Sequence, residues 1–209
     1  MSKKIVVVDY GAGNILNVTR AFSFLGVSAI SSASPEDVTS ASAIVIPGVG
    51  DYGAGMEGLS LDSLDEAVRD FARSGKPVLG ICLGMQLFSE KSEEAPGVRG
   101  LSLLPGAIVS LSHLQSAPVG GSVPDTGWCD VIFHEDFLSY RGGARSSFYF
   151  SHSYCMIPEN LGVTIASKFF GAVSIPAIVK LENVVGFQFH PEKSGTSGLA
   201  LLEDWVSNS

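Results

Sequence analysis

Apolar and polar positions follow two different rhythms along this chain, and the change falls near Gly100. Before it, short apolar runs alternate with stretches of helical spacing. Lys4-Ile5-Val6-Val7-Val8-Asp9 is a nearly unbroken β-branched run, the pattern of a strand buried on both faces. Ile15, Val18, Phe22 and Leu25 recur at helical spacing, with Asn14 placed to cap the helix and Gly26 to end it. Val27 to Ser31 reads as a second strand, and Ala43 to Ile46 as a third that stops at Pro47-Gly48. Leu61, Leu64, Val68 and Phe71 mark another helical face closed by Gly75, and Pro77 to Ile81 forms a fourth strand. This β-α-β-α order predicts a parallel sheet with helices on both faces.

Beyond Gly100 the runs become short and β-rich: Ala107 to Leu111, Val131 to Phe133, Ser147 to Phe150, Val163 to Phe170, Ala177 to Leu181 and Val185 to Phe189. Turn residues such as Gly142-Gly143 and Glu182-Asn183 separate them, as in an antiparallel meander joined to the parallel sheet. A last helix is expected from about Ser197 to Val206. Ser112 to Thr126, rich in Ser, Pro and Gly, reads as a mobile loop. The fold class is therefore α/β, a mostly parallel central sheet flanked by helices with an antiparallel β extension. With no internal repeat or low-complexity linker, residues 1–209 read as a single domain.

Composition narrows the function. Apolar residues make up 45% and charged ones 16% of the 209 residues, which suits a core-forming globular chain rather than a disordered one. The net charge of −8 argues against nucleic acid as a partner, because phosphate binding needs clustered Lys and Arg. No run approaches the roughly 18 apolar residues of a membrane helix. Lys3-Lys4 does not open a signal peptide, since Asp9 and Gly11 interrupt the apolar run. Three cysteines, Cys82, Cys129 and Cys155, form no CxxC pair, so neither a disulfide framework nor a structural metal site is expected, and a reducing cytoplasm is. Gly11-Ala12-Gly13 opens like a dinucleotide fingerprint, but Leu16 stands where the third glycine belongs. No cofactor is expected.

Candidate chemistry centres on Gly80-Ile81-Cys82-Leu83-Gly84-Met85-Gln86. A thiol between glycines, after a strand and before a helical stretch, has the layout of a nucleophile elbow. There it would face unpaired N–H groups that favour thiolate. A buried structural cysteine is the other reading of Cys82. His190-Pro191-Glu192 follows the strand-like Gly186 to Phe189. It is either a surface loop or a base with its orienting carboxylate; in the second case Cys82 is nucleophile, His190 base then acid, and Glu192 the group that fixes the imidazole tautomer. Pro47-Gly48-Val49-Gly50 is either a tight turn or, with the Leu83 N–H, an oxyanion hole. Ser151-His152-Ser153-Tyr154 concentrates polar groups where a strand ends, at a substrate edge or an ordinary turn. Trp128 belongs to core or interface; His113 and His134 read as surface residues.

Taken together, Gly80 to Gln86, Pro47 to Gly50 and His190-Pro191-Glu192-Lys193-Ser194 resemble the class I, triad-type glutamine amidotransferases, a flavodoxin-like fold. Within that class, Asp9-Tyr10-Gly11-Ala12-Gly13-Asn14-Ile15, Gly127-Trp128 and Phe148 to Tyr154 are similar to the glutaminase subunit of imidazole glycerol phosphate synthase. The resemblance implies a catalytic triad of Cys82, His190 and Glu192, and an oxyanion hole from Val49, Gly50 and Leu83. It implies glutamine contacts from Gly48, Gly50, Gln86 and the Ser151-His152-Ser153 backbone. It also implies a heterodimer with a (β/α)₈-barrel cyclase that receives ammonia through a channel, with Asn14, Trp128, Tyr149 and Lys193 facing it. Products would be imidazole glycerol phosphate and an aminoimidazole carboxamide ribotide, in histidine biosynthesis. Two positions depart from the family pattern: Cys129 replaces asparagine after the tryptophan, and Ser151 replaces valine beside the substrate strand. The competing readings are an idle scaffold that only activates the cyclase, and a free-standing cysteine hydrolase.

Overall fold

The structure, a computed structural model, describes residues 4–114 and 122–209. Its first half lays down four parallel strands, β1 (Ile5–Val8), β2 (Ala29–Ser32), β3 (Ala43–Ile46) and β4 (Val78–Ile81). Helices α1 (Ile15–Phe24), α2 (Pro35–Ser40), α3 (Tyr52–Ser60) and α4 (Leu64–Arg73) connect them, and a single turn, α5 (Leu83–Gln86), follows β4. The second half is mainly strands: β5 (Lys91–Ser92), β6 (Gly106–Ser110), β7 (Asp125–Phe133), β8 (Arg145–His152), β9 (Tyr154–Pro158), β10 (Thr164–Phe170), β11 (Val173–Leu181) and β12 (Val184–Phe187). A one-turn helix, α6 (Leu111–Leu114), follows β6, and α7 (Gly195–Ser207) closes the chain.

Among the described residues, nine strands form one sheet in the order β2-β1-β3-β4-β12-β11-β10-β7-β8. It is parallel from β2 to β12 and antiparallel from β12 onward. A smaller sheet joins β5, β6 and β9. The unbroken apolar runs have their predicted cause: both faces are covered. Val6, Val8, Ile44 and Ile46 pack with α2, α3 and α4, whereas Ile5, Val7, Ala43 and Val45 pack with α1 and α7. Burial of each of these valines and isoleucines contributes roughly 1.5–3 kcal/mol.

Several expectations need correction. Leu61 does not join the α4 face; it is 65% exposed. Asp62 and Ser63 take φ of 53° and 59°, left-handed values that break the helix, so the buried periodicity starts at Leu64. Asn14 stands at the N-cap of α1, and its carbonyl accepts the Val18 N–H at 3.3 Å, but its side chain does not cap. Its φ is 79° and its side chain makes no cap bond, because its Oδ1 accepts from Asn17 Nδ2 instead. The helix α3 was not apparent, since Tyr52-Gly53-Ala54-Gly55-Met56-Glu57-Gly58 is too glycine-rich to read as one. Those glycines answer to packing: a Cβ at Gly58 would lie 2.0 Å from the Tyr10 carbonyl oxygen. Of the expected loop Ser112 to Thr126, residues 115–121 lie outside the described residues. Ser112 to Leu114 complete α6, and Asp125 and Thr126 open β7.

Candidate active site

Three neighbouring parallel strands, β3, β4 and β12, end at one edge of the sheet. The segments leaving them are Pro47-Gly48-Val49-Gly50, Cys82-Leu83 and Gln188-Phe189-His190. Ligands of open α/β sheets bind at this edge, and adjacency in the sheet brings together residues more than a hundred positions apart.

Cys82 is 5% exposed and sits at φ 53°, ψ −107°, a strained conformation for a residue with a Cβ. Its N–H donates to the Phe187 carbonyl at 2.7 Å, so β12 holds the elbow from one side. Glycines hold it from the others. A Cβ at Gly80 would come 2.6 Å from the Phe88 ring, and one at Gly84 would come 1.8 Å from the Ile46 carbonyl oxygen. The predicted helix after the elbow is only the four residues of α5. With so few aligned peptides its dipole is small, and the sulfur's side-chain neighbours carry more weight.

His190 and Glu192 have fully buried side chains, with His190 Nδ1 2.8 Å from Glu192 Oε1. This fixes the proton on Nδ1 and turns Nε2 toward the thiol. Nε2 has no hydrogen-bond partner among the described residues. Burial pushes the imidazole down, but Cys82 and Glu192 outweigh it and raise it to about 9. Asn14 Nδ2 donates to the same Glu192 oxygen, while its Oδ1, the atom a cap would use, accepts from Asn17 Nδ2 at 2.6 Å. Ser194 Oγ donates to the His190 carbonyl at 2.6 Å and accepts the Tyr149 N–H at 2.9 Å, and the His190 N–H donates to the Tyr149 carbonyl at 2.9 Å. The His-Pro-Glu turn is thereby tied to β8.

A pocket of about 250 Å³ opens above the thiol. Val49 and Gly50 after β3 and the elbow residues Cys82, Leu83 and Gln86 line it together with Ser151 to Tyr154, His190, Glu94 and Lys193. Gly48 lies just beneath, where a Cβ would meet the Tyr10 hydroxyl at 2.2 Å. The Leu83 N–H donates to the Gly48 carbonyl at 3.4 Å. One predicted oxyanion donor is therefore engaged by the very loop predicted to supply the other.

His152 was expected to contribute only its backbone. Its ring is buried, with Nδ1 on the Tyr154 carbonyl at 2.8 Å and Nε2 3.8 Å from Asp125 Oδ2. Burial, reinforced by Lys168, holds it down to about 4. Lys168 itself is 1% exposed, pairs with Asp125 and reaches Cys129 Sγ at 3.2 Å. Cys129 thus faces inward while its neighbour Trp128, 58% exposed, faces out by strand alternation. Trp128 meets the Tyr149 ring edge-on at 6.3 Å between centroids, and Lys193 Nζ stands 5.9 Å over Tyr149. These three form one patch beside the pocket mouth. His113 and His134 are exposed, the first against Glu93 and the second against Ser167.

Sequence reasoning missed Gln188, whose Nε2 donates to Cys82 Sγ at 3.8 Å. The one signal was position: it stands two residues before His190 on an extended segment, so both side chains fall on the same face. Among the described residues no cluster of three or more His, Cys, Asp or Glu could hold a metal ion.

A family model described as glutamine amidotransferase class-I matches residues 6–208. The imidazole glycerol phosphate synthase subunit HisH of Methanothermobacter thermautotrophicus is 39% identical over 202 residues, covering 97% of each chain. HisH 1 of Legionella pneumophila (strain Lens) is 39% identical over 209 residues, covering 97% of this chain and 98% of its own. A chain of the PurLQS structure from Thermotoga maritima superposes with a TM-score of 0.77 at 19% identity, over 100% of this chain and 99% of that one, a likeness of fold.

Proposed function

The chain belongs to the class-I glutamine amidotransferases, and from that premise we propose that it is the glutaminase subunit of an imidazole glycerol phosphate synthase, a single amidotransferase domain working beside a (β/α)₈-barrel cyclase. Its relatives at 39% identity over almost their whole length carry that subunit's name. The observation that carries the chemistry is the meeting of a strained, buried Cys82 with a His190–Glu192 pair at the ends of adjacent parallel strands.

Glutamine enters the pocket with its side-chain amide over Cys82. Gly48, Gly50, Gln86 and the Ser151-His152-Ser153 backbone hold it. The thiolate sulfur attacks the amide carbon, and the C=O electron pair moves onto oxygen. Protonated His190 gives its proton to the leaving nitrogen, the C–N bond breaks, and ammonia departs from a γ-glutamyl thioester. Neutral His190 then takes a proton from water as the oxygen attacks the thioester. The C–S bond breaks, and glutamate, thiolate and imidazolium result. Glu192 keeps its proton on Nδ1 of the ring throughout and balances the cation, and Asn14 steadies Glu192.

The oxyanion of both tetrahedral states needs N–H donors from Leu83 and from Val49 or Gly50. The Gly48 carbonyl stands against the Leu83 N–H, in the place an oxyanion would take. Turning the Gly48–Val49 peptide would replace that carbonyl with an N–H. Each absent donor costs about 100- to 1,000-fold in rate, so the isolated chain is slow and the docked partner, acting through this loop, makes it fast. Ammonia then passes through a channel into the barrel, whose lyase-type chemistry produces imidazole glycerol phosphate for histidine biosynthesis in the cytoplasm. Trp128, Tyr149, Lys193 and Asn14 lie on the side that meets the barrel. No helix among the described residues is long and apolar enough to cross a membrane.

Cys82→Ala tests the assignment. Assayed with the cyclase, the variant is expected to lose glutamine-dependent synthesis while ammonia-dependent synthesis survives. Undiminished use of glutamine would leave the chain as a scaffold and remove Cys82 from the chemistry.

A further inference from the structure

Gln188 is buried to the last atom, yet it is not among the residues that line the pocket. An uncharged polar side chain with no exposure and no substrate to touch must satisfy its hydrogen bonds inside the protein. Both of its amide ends are accounted for. Oε1 accepts from Gln86 Nε2 at 3.1 Å, and Nε2 donates to Cys82 Sγ at 3.8 Å.

The direction of these bonds is set at the far end. Gln86 Nε2 also donates to the Tyr154 carbonyl at 2.9 Å. A backbone carbonyl can only accept, so the Gln86 amide must present its nitrogen there. The same nitrogen meets Gln188, which must therefore turn its own oxygen inward and its N–H toward the sulfur. Reversing Gln188 would set N–H against N–H at one end and oxygen against sulfur at the other. The Tyr154 carbonyl is itself fixed, since it also accepts from His152 Nδ1 at 2.8 Å.

Cys82 consequently receives an N–H donor whose polarity cannot reverse. Its other neutral neighbour is the Ser151 carbonyl at 3.9 Å, which suits a thiol and opposes a thiolate. Gln188 counters it, because a donor aimed at sulfur favours the charged form. The titratable groups around the thiol are His190, backed by Glu192, and Tyr10 after β1, with His152, Glu94 and Lys193 at the pocket wall. Of these, His190 is the charged partner of the sulfur, since Cys82 helps to raise its imidazole; Gln188 adds an uncharged N–H donor beside it.

We propose that Gln188 is a positioning residue of the nucleophile, directed by the Tyr154–Gln86–Gln188 chain to hold Cys82 Sγ and sustain its thiolate. This rests on Cys82 being the attacking group. It extends that reading to a residue outside the triad, the oxyanion loop and the substrate pocket.

The test is Gln188→Leu, which keeps the volume and removes the donor. Iodoacetamide alkylation of the Cys82 peptide is followed by mass spectrometry against pH in the intact isolated chain. Glutaminase kinetics are then measured with the cyclase present. The pH of half-maximal alkylation should rise by about one unit, and kcat near neutral pH should fall about tenfold, with KM for glutamine within twofold. Gln188→Glu keeps the shape and reverses the charge facing sulfur, so its alkylation shift should be larger; it carries the test if the leucine variant does not fold. An alkylation profile that superposes on the parent, or a loss confined to KM, would overturn the proposal. Because alkylation reports on the thiol without glutamine or partner, failure here is distinct from failure of the glutaminase assignment, which Cys82→Ala decides.

Discussion

Two buried histidines with unlike surroundings show how the site is set at the residue scale. His190, drawn up to about 9 by Cys82 and Glu192 against its burial, stays protonated where the reaction needs an acid for ammonia. His152, held down to about 4 chiefly by burial, stays neutral and keeps its Nδ1 proton on the Tyr154 carbonyl. The two act oppositely on stability. The His190 contribution is fully present below its ordinary 6.5 and fades as pH rises through 9. His152 binds a proton more readily in the unfolded chain, so it destabilises the fold as pH falls from 6.5 toward 4. Between pH 7 and 5 that loss is about 2 kcal/mol. Urea denaturation of the parent and of His152→Gln, which retains a donor for Tyr154, should show the parent's excess acid sensitivity vanish in the variant. Equal pH slopes would mean His152 is not buried as a neutral ring. Cys82, His190 and Glu192 were legible because their chemistry is written in adjacent residues. Asn14 and Gln188 were not, because each is defined by a partner 178 or 106 positions away that only the sheet order supplies.

The elbow is an element in which side-chain absence matters more than side-chain contact. Gly80 admits the Phe88 ring over β4, and Gly84 lets α5 settle on the Ile46 carbonyl at the end of β3. That settling aims Cys82 at the junction of β3, β4 and β12. Gly84→Ala would drive a methyl group into a backbone oxygen 1.8 Å away, a conflict that only movement of α5 relieves. The expected result is a loss of roughly 1–3 kcal/mol by thermal or urea melting, together with loss of glutaminase activity as the thiol moves. Full retention of both would mean the element tolerates displacement and that the glycine frame does not aim the nucleophile. The strands were readable from their apolar runs. The helix α3 was not, since there the close approach of backbone to backbone overrides glycine's poor helix propensity; the helix expected after the elbow is present, but only as the single turn α5.

Across the whole molecule, the parallel strands supply the nucleophile and its base, and the Ser151 to Tyr154 stretch, where β8 of the large sheet passes to β9 of the small one, lines the pocket beside them. The order of elements and the change near Gly100 were visible in the sequence. The approach of the β8–β9 junction to the pocket was not, since it depends on which strand edges meet. The exposed Trp128, the Tyr149 ring and Lys193 form a patch at the pocket mouth, where a docked barrel would both collect ammonia and press on the Gly48–Val49 loop. The central claim is that glutamine hydrolysis belongs to this chain but waits on that partner. Its most direct test is glutamate release from glutamine, first by the chain alone and then with the cyclase barrel and its nucleotide substrate. Stimulation of at least 100-fold by the loaded barrel is the expected result, the least that restoring one oxyanion donor provides. Equal rates in the two experiments would contradict the account and describe a self-sufficient hydrolase instead.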